Sequence, residues 1–365
     1  MVMRTMSGNW IKHARICPCP PVPVGYPRST DASESGVILI VMLWILTALA
    51  VMTLSFSRES RMEVMTARNA HALEKSYYIA RAGMESTVYQ ILAKRMNASS
   101  GMTAVQDDEP DEIDFGRVTG RYSDGIWQVD IQDESGKISI NTVSEQQLRA
   151  LILASGIEEP DVSVLTDSIL DWRDADSTIR PNGAEDEYYQ ELQPPYNTKT
   201  NGRFDTIEEL LLVRGMTRDY YYGKPERLPD GTVTYKYGLS RFFTVYSTRD
   251  QINVNHAALP VLLSIPGMPP ETAGMICERR KIQPFRSLAE INREFSFTSL
   301  GAGVVNRLTT VQTGILTLTA VAHTEGSRVR RVVRAVISLN APGMQNPYQT
   351  LYWNENVSDY EGGAS

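Results

Sequence analysis

Between Val37 and Phe56 twenty residues in a row, VILIVMLWILTALAVMTLSF, carry no charge. At about 1.5 Å rise per residue such a run spans about 30 Å as a helix, the thickness of a bilayer's hydrocarbon core. Soluble helices rarely stay apolar on every face for that length. The run therefore predicts a membrane-spanning helix over residues 37–57 rather than a buried core helix. A cleaved secretory signal would carry a shorter apolar region ending in small residues. Beyond Phe56 the apolar positions become periodic. Ala67, Ala70, Leu73, Tyr77, Ala80, Met84, Val88, Ile91 and Leu92 recur at three- and four-residue steps, the spacing of one helix face. No Pro falls between Val37 and Met96. The pattern predicts one helix that starts in a membrane and continues far outside it, softened at most at Gly83.

The texture then changes. Asn97 to Asp114 is polar and acidic and reads as a loop. Phe115–Tyr122 and Ile126–Gln132 read as strands around a Ser123-Asp124-Gly125 turn, with Lys137–Asn141 to follow. From Thr142 helical patterns take over. Ser144 and Gln147 form a capping-box signature, and Gly156 suits a C-cap. Further helices are expected over Val162–Arg173 and Ile207–Val213. Asp219–Tyr237 reads as a structured loop and Gly238–Val245 as a strand. The stretch from Lys137, KISINTVSEQQLRALILASGIEEPDVSVLTDSI, is echoed by QINVNHAALPVLLSIPGMPPETAGMICERR from Gln251. Both read strand, Asn, helix, Gly turn, helix, which we take as an internal repeat. LTLTAVAHT and VRRVVRAVISL around Glu325-Gly326-Ser327 predict a closing hairpin, and residues 341–365 read as a loose tail.

Composition narrows the chemistry. The chain of 365 residues has a formal net charge of −7, which argues against a nucleic-acid partner. Arg4, Lys12, Arg15 and Arg28 precede the apolar run and favour a cytoplasmic N-terminus. Of three Cys residues, Cys17 and Cys19 lie in a Pro-rich stretch and Cys277 stands alone. The four His residues are scattered, and no nucleophile elbow, phosphate loop or zinc-spaced set is present. Asp171, Asp174, Asp176, Glu185 and Asp186 lie within 16 residues. Hard oxygen ligands in a loop suit calcium; a solvated acidic loop, or carboxylates paired with Arg173 or Arg180, fits the same residues. The Ile265–Pro270 turn, IPGMPP, resembles a helix-hairpin-helix turn, whose backbone N–H groups can meet phosphate. A membrane-anchored DNA receptor using these units is the competing reading, but Glu271, Glu278 and Glu290 are interleaved with Arg279, Arg280 and Lys281 and count against it.

A Gly immediately before an apolar helix resembles the type IV pilin-like signal. The resemblance implies cutting between Gly36 and Val37 by the prepilin peptidase. Most members carry Glu at the fifth mature position; here that position is Val41, a departure typical of the type II secretion minor pseudopilin K family. The blocks DWRDAD at Asp171–Asp176, RPNGAEDEYY at Arg180–Tyr189, TIEELLLVRG at Thr206–Gly215 and INVNHAALPVLL at Ile252–Leu263 carry the rest of the match. The resemblance implies an α+β, type IV pilin-like fold: a long N-terminal transmembrane helix packed on a small antiparallel sheet. A large inserted all-α domain would hold two helix-hairpin-helix or SAM-like units. The expected layout is a leader over 1–36, a membrane segment over 37–57, and the rest of the helix with the first strands over 58–141. The inserted domain with its acidic loop would follow over 142–308, a final hairpin over 309–340 and a flexible tail over 341–365. Implied too are calcium in the acidic loop and no enzymatic activity. The implied place is the cell inner membrane, with the bulk in the periplasm at a pseudopilus tip. The implied partners are minor pseudopilins I, J and H and the major pseudopilin G.

Overall fold

The computed structural model describes residues 34–99, 116–198, 202–227, 233–247, 249–295, 302–327, 329–340, 344–355 and 357. Most of the expected leader, most of the acidic loop before residue 116 and much of the expected tail lie outside the described residues. The chain divides into two units, residues 1–67 and 68–365.

Helix α1, Glu34–Ser99, is a single element, as the Pro-free pattern predicts. Up to Ala67 its apolar side chains are exposed. In the second unit its buried stripe begins at Ser76 and continues through Ile79, Ala80, Met84, Val88 and Ile91. Ala70 and Leu73, on the same predicted face, are exposed, because no described residue of the second unit covers that turn. The first strands are β1, Arg117–Tyr122, and β2, Gly125–Asp133, which pair directly across Ser123 and Asp124.

A long, mostly helical stretch follows. It runs through β3 (Ile138–Ser139), α2 (Glu145–Ala154), α3 (Asp161–Arg173), α4 (Asp186–Gln190), α5 (Arg218–Tyr222), β4 (Lys224–Arg227) and β5 (Val233–Lys236). It continues through β6 (Phe243–Thr244), β7 (Ile252–Asn253), α6 (Leu259–Leu263), α7 (Pro270–Ile282), α8 (Leu288–Phe295), α9 (Ala302–Val305) and β8 (Leu308–Thr309). The chain then returns with β9 (Ile315–Thr324), β10 (Arg330–Leu339) and β11 (Tyr348–Asn354).

The main sheet has five antiparallel strands in the order β1-β2-β9-β10-β11. Strand side chains alternate between faces. Trp127, Val129 and Ile131 of β2, Leu316 to Ala322 of β9 and Val333 to Ile337 of β10 therefore turn one apolar face onto α1. Each fully buried Leu, Ile or Val there contributes about 1.5–3 kcal/mol. Trp127 is seated by two glycines: a Cβ at Gly83 would come within 2.6 Å of its ring, and one at Gly120 within 2.3 Å. Gly83 is thus a packing position rather than a soft point in the helix.

The second core lies between β2 and β9 in the chain and is built from Leu148, Leu151, Ile152, Leu165, Ile169, Phe243, Val261, Leu262, Ile276 and Phe285, among others. Here the repeat read from sequence has a matching geometry. Asn141 Nδ2 donates to Phe204 O at 2.9 Å, and Phe204 N donates to Asn141 Oδ1 at 2.8 Å. Asn255 makes the same pair with Phe285, at 2.9 and 2.8 Å. Arg173 donates to Ile140 O at 2.9 Å and Arg280 to Val254 O at 2.6 Å, each from the second helix of its unit to the residue before its Asn. Gly156 and Gly267 lie in the turn between the first and second helices of each unit with φ of 91° and 86°, values that glycine adopts without strain. Beyond each Phe, FDTIEEL and FRSLAEI run in parallel, with Glu209 and Glu290 folding back onto backbone N–H groups.

Four local expectations change. The helical run expected over Ile207–Val213 is a 3-10 helix over Ile207–Leu212. Glu209 caps it and Val213 turns extended at once, so only short i to i+3 bonds close. The stretch 219–237, expected as loop, holds α5 and the β4–β5 hairpin, held by Tyr220 packed edge-on against Tyr237 at 5.0 Å. The strand expected over Gly238–Val245 shrinks to two residues after a 3-10 turn. The tail expected to be loose supplies β11, returned by Asn340 N donating to Pro347 O at 2.9 Å. An edge strand needs one partner only and tolerates polar side chains, so its polarity concealed it. The middle stretch is also not all helix, since β3–β6 and β7–β8 pair in parallel.

Candidate functional site

The apolar run is fully presented. Ile38 is 61% exposed, Trp44 73% and Phe56 74%. Among the described residues, this is one helix long and apolar enough to cross a membrane. Gly36 and Val37 lie in the first turn of α1, and Val41 is one turn further on. No acidic residue interrupts α1 between Val37 and Phe56. The apolar surface and the absence of a carboxylate at Val41 are both legible without any fold.

The acidic loop is assembled by the end of α3, the loop after it and the start of α4. One carboxylate oxygen each from Asp174, Asp176 and Glu185 lies within 4.8 Å of the others. Asp174 caps the C-terminus of α3 in extended geometry, and Glu185 caps the N-terminus of α4. That brings two residues eleven apart in sequence to one point. Asp176 is fixed by accepting from Thr178 N at 2.8 Å. Asp171 is not one of the three converging acids, though its charge acts on Glu185. It is 1% exposed, accepts from Arg180 N at 3.2 Å and lies 3.3 Å from Arg180 Nε. Gly183 is required there, because a Cβ would fall 1.8 Å from Asp171 Oδ2. Asp186 points elsewhere and accepts from Thr198 N at 2.7 Å. Of the five acids named from sequence, three converge, one lies beside them and one, Asp186, turns to Thr198.

The electrostatics of the group are those of crowded, poorly hydrated carboxylates. Loss of solvation, reinforced by Asp171, Asp174 and Asp176, pushes Glu185 up to about 7. Burial pushes Asp171 up to about 6, against hydrogen bonding from Arg180. Burial and Asp176 raise Asp174, whereas Thr178 holds Asp176 below its ordinary value. Oxygens of Asp171, Asp174 and Glu185 are buried without a hydrogen-bond partner. Buried carboxylate oxygens are ordinarily paired or on a metal, and an all-oxygen set fits a hard cation such as calcium. Sequence reasoning missed Asp167, whose Oδ2 accepts from Asn182 N and Nδ2, each at 3.0 Å, and so anchors the loop.

The basic residues after the Ile265–Pro270 turn are committed to the protein. Arg279 Nε lies 2.9 Å from Glu294 Oε1, Arg280 bonds Val254 O, and Lys281 Nζ lies 2.8 Å from Glu278.

Residues 129–223 match the family model described as type II secretion system (T2SS), protein K. They cover the acidic loop and the first repeat unit. Type II secretion system protein K of Aeromonas hydrophila is 28% identical over 52% of this chain and 61% of its own length. The protein K of Pseudomonas aeruginosa is 24% identical over 75% of this chain and 80% of its own length. The match thus spans about three fifths of the Aeromonas relative. Among solved structures, a chain of the GspK-GspI-GspJ complex from the enterotoxigenic Escherichia coli type 2 secretion system superposes with a TM-score of 0.57. That alignment covers 78% of this chain and 98% of the other at 16% identity, a likeness of fold alone. In sequence the chain is similar to type II secretion system protein K, and in fold it is similar to a chain of the GspK-GspI-GspJ complex.

Proposed function

We propose that this chain is a minor pseudopilin of a type II protein secretion system, which caps the tip of a periplasmic pseudopilus and helps start its assembly. The observation that carries the reading is α1. In α1 the uncharged apolar stretch Val37–Phe56 is exposed, and the stripe from Ser76 to Ile91 packs under a five-stranded sheet. The apolar stretch anchors the precursor in the inner membrane, with the bulk on the periplasmic side. The prepilin peptidase cuts between Gly36 and Val37 and leaves the helix free to join a bundle of equivalent helices. A carboxylate at Val41 would pair with a neighbour's N-terminal amine; without it the chain has less reason to dock beneath another copy. Residues 142–308 act as an inserted domain with two helix-hairpin-helix-like units, and their bulk disfavours stacking. Minor pseudopilins I and J are the first expected partners, since the similar solved chain comes from a complex of those names. Pseudopilin H and the major pseudopilin G follow from the same role. Asp174, Asp176 and Glu185, with Asp171 beside them, would hold calcium, which there supplies only charge neutralisation and a fixed loop.

Co-expression with pseudopilins I, J, G and the peptidase tests the reading. The mature protein should begin at Val37 and co-purify with I and J in a complex holding one copy, and alone it should give no filaments. An uncut protein, or homopolymeric filaments, would sink the assignment.

A further inference from the structure

The outer face of the sheet, turned away from α1, carries a cleft that the function above does not use. Its volume is about 790 Å³, a size at which pockets ordinarily bury a ligand. Its floor follows one row of the strand register: Arg117 opposite Asp130, Asp130 opposite Thr319, and Thr319 opposite Arg334. Its wall, from the helical stretch and β11, includes Tyr221, Tyr246 and Tyr352.

The carboxylates on the floor and wall are already engaged. Asp130 takes Arg117 Nε at 2.8 Å. Glu134 takes Lys137 and, at 2.6 Å, the Thr317 hydroxyl. Glu208 takes the Tyr352 hydroxyl at 3.0 Å. Asp219 stands exposed at the rim, beside Arg218 and with Arg241 also lining the opening. Arg334 differs from all of these. It sits half-buried on β10 and its charge acts on Tyr221 and Tyr352. Among the described residues no carboxylate lies within ion-pair distance of it. A half-buried guanidinium walled by tyrosines is the complement of a carboxylate, which its fork can hold through two parallel hydrogen bonds.

We propose that this cleft docks an acidic segment of a partner polypeptide, with one carboxylate on Arg334 and a neighbouring aromatic or aliphatic side chain against Tyr221, Tyr246 and Tyr352. A peptide fits better than a small anion, which would leave most of the volume and the whole aromatic wall unused. Tyrosine-rich walls also suit polypeptide recognition, because the ring supplies large contact area at low entropic cost.

The test uses the full chain in detergent micelles and the fluorescent peptide acetyl-Gly-Tyr-Glu-Glu-Val-Glu-Gly-amide. A second peptide has every Glu replaced by Gln. Fluorescence anisotropy should show saturable binding of the acidic peptide, at least tenfold tighter than the Gln peptide and weakened by added salt. Arg334→Gln and, separately, Tyr246→Ala should each weaken it at least fivefold, with thermal melts confirming that both variants fold. Arg279→Gln, remote from the cleft, should bind as the wild type does. Equal affinity for the two peptides, or full affinity in folded Arg334→Gln, would overturn the proposal. So would binding that appears only after residues 104–114 are replaced by a Gly-Ser linker, because the cleft would then be taken by the chain's own acidic stretch.

Discussion

Asp133 illustrates how far one side chain can set pH behaviour. It lies 4% exposed at the end of β2, and its Oδ1 accepts from Ser135 N at 2.7 Å. Burial pushes it up to about 6, in spite of that hydrogen bond. In the unfolded chain it titrates near about 4. The folded state therefore holds its proton more tightly. Its contribution to stability is fully present below about pH 4 and is lost as pH rises through about 6. Asp133→Asn keeps the acceptor and removes the titration. Relative to wild type, the variant should gain on the order of 2 kcal/mol between pH 4 and pH 7 in denaturant unfolding. A difference that stays flat across that range would contradict the buried acid. At Gly83 two effects oppose each other. Ala is favoured over Gly in a helix by about 1 kcal/mol, but its Cβ would press on the Trp127 ring at 2.6 Å. Overpacking costs about 1–3 kcal/mol, so Gly83→Ala should destabilise on balance. In a Trp127→Leu background the same change should become neutral or stabilising, and persistence of the loss there would mean that the ring is not its cause.

Among the elements, the duplicated unit makes the sharpest claim. Asn141 and Asn255 each exchange two hydrogen bonds with a Phe backbone that lies 63 and 30 residues further along the chain. Losing such a pair leaves a buried N–H and C=O without partners, at about 1–3 kcal/mol for each group. Asn141→Ala and Asn255→Ala should thus each cost about 2–4 kcal/mol, and by similar amounts. Asn→Asp should rescue neither, since a carboxylate cannot donate to the Phe carbonyl. A large loss at one position and none at the other, in urea unfolding of the two variants, would show that the units are not equivalent in energy.

For the molecule as a whole, the acidic group joins α3 to α4 and so couples the loop to the second core. Neutralising its crowded carboxylates should stabilise the folded state by mass action. Calcium at millimolar concentration should raise the melting temperature by several degrees, and a chelator should reverse this. Asp174→Asn combined with Glu185→Gln should remove most of the rise, whereas Asp186→Asn should leave most of it, because Asp186 faces Thr198. Calorimetry with no heat of binding at millimolar calcium would dispose of the ion.

The sequence by itself determined the elements whose signals are local. A run apolar on all faces can only be satisfied by a bilayer or by other apolar helices, so Val37–Phe56 was legible from composition alone. The Ser144 cap, the Gly156 turn and the hairpin at Glu325-Gly326 were legible because backbone geometry near a cap or tight turn restricts the residue type. The repeat was legible as two similar strings. Tertiary structure decided what depends on distant partners. It made Gly83 a seat for Trp127, and it took Gln147 from its expected capping role to accept from Arg307 at 2.7 Å. It recruited the polar segment 348–354 as an edge strand, since pairing with β10 needs backbone groups and little else. It also sorted five nearby acids into three that converge, one beside them and one turned away. Sequence proximity placed all five in one loop, but the direction of each carboxylate follows from where α3 ends and α4 begins.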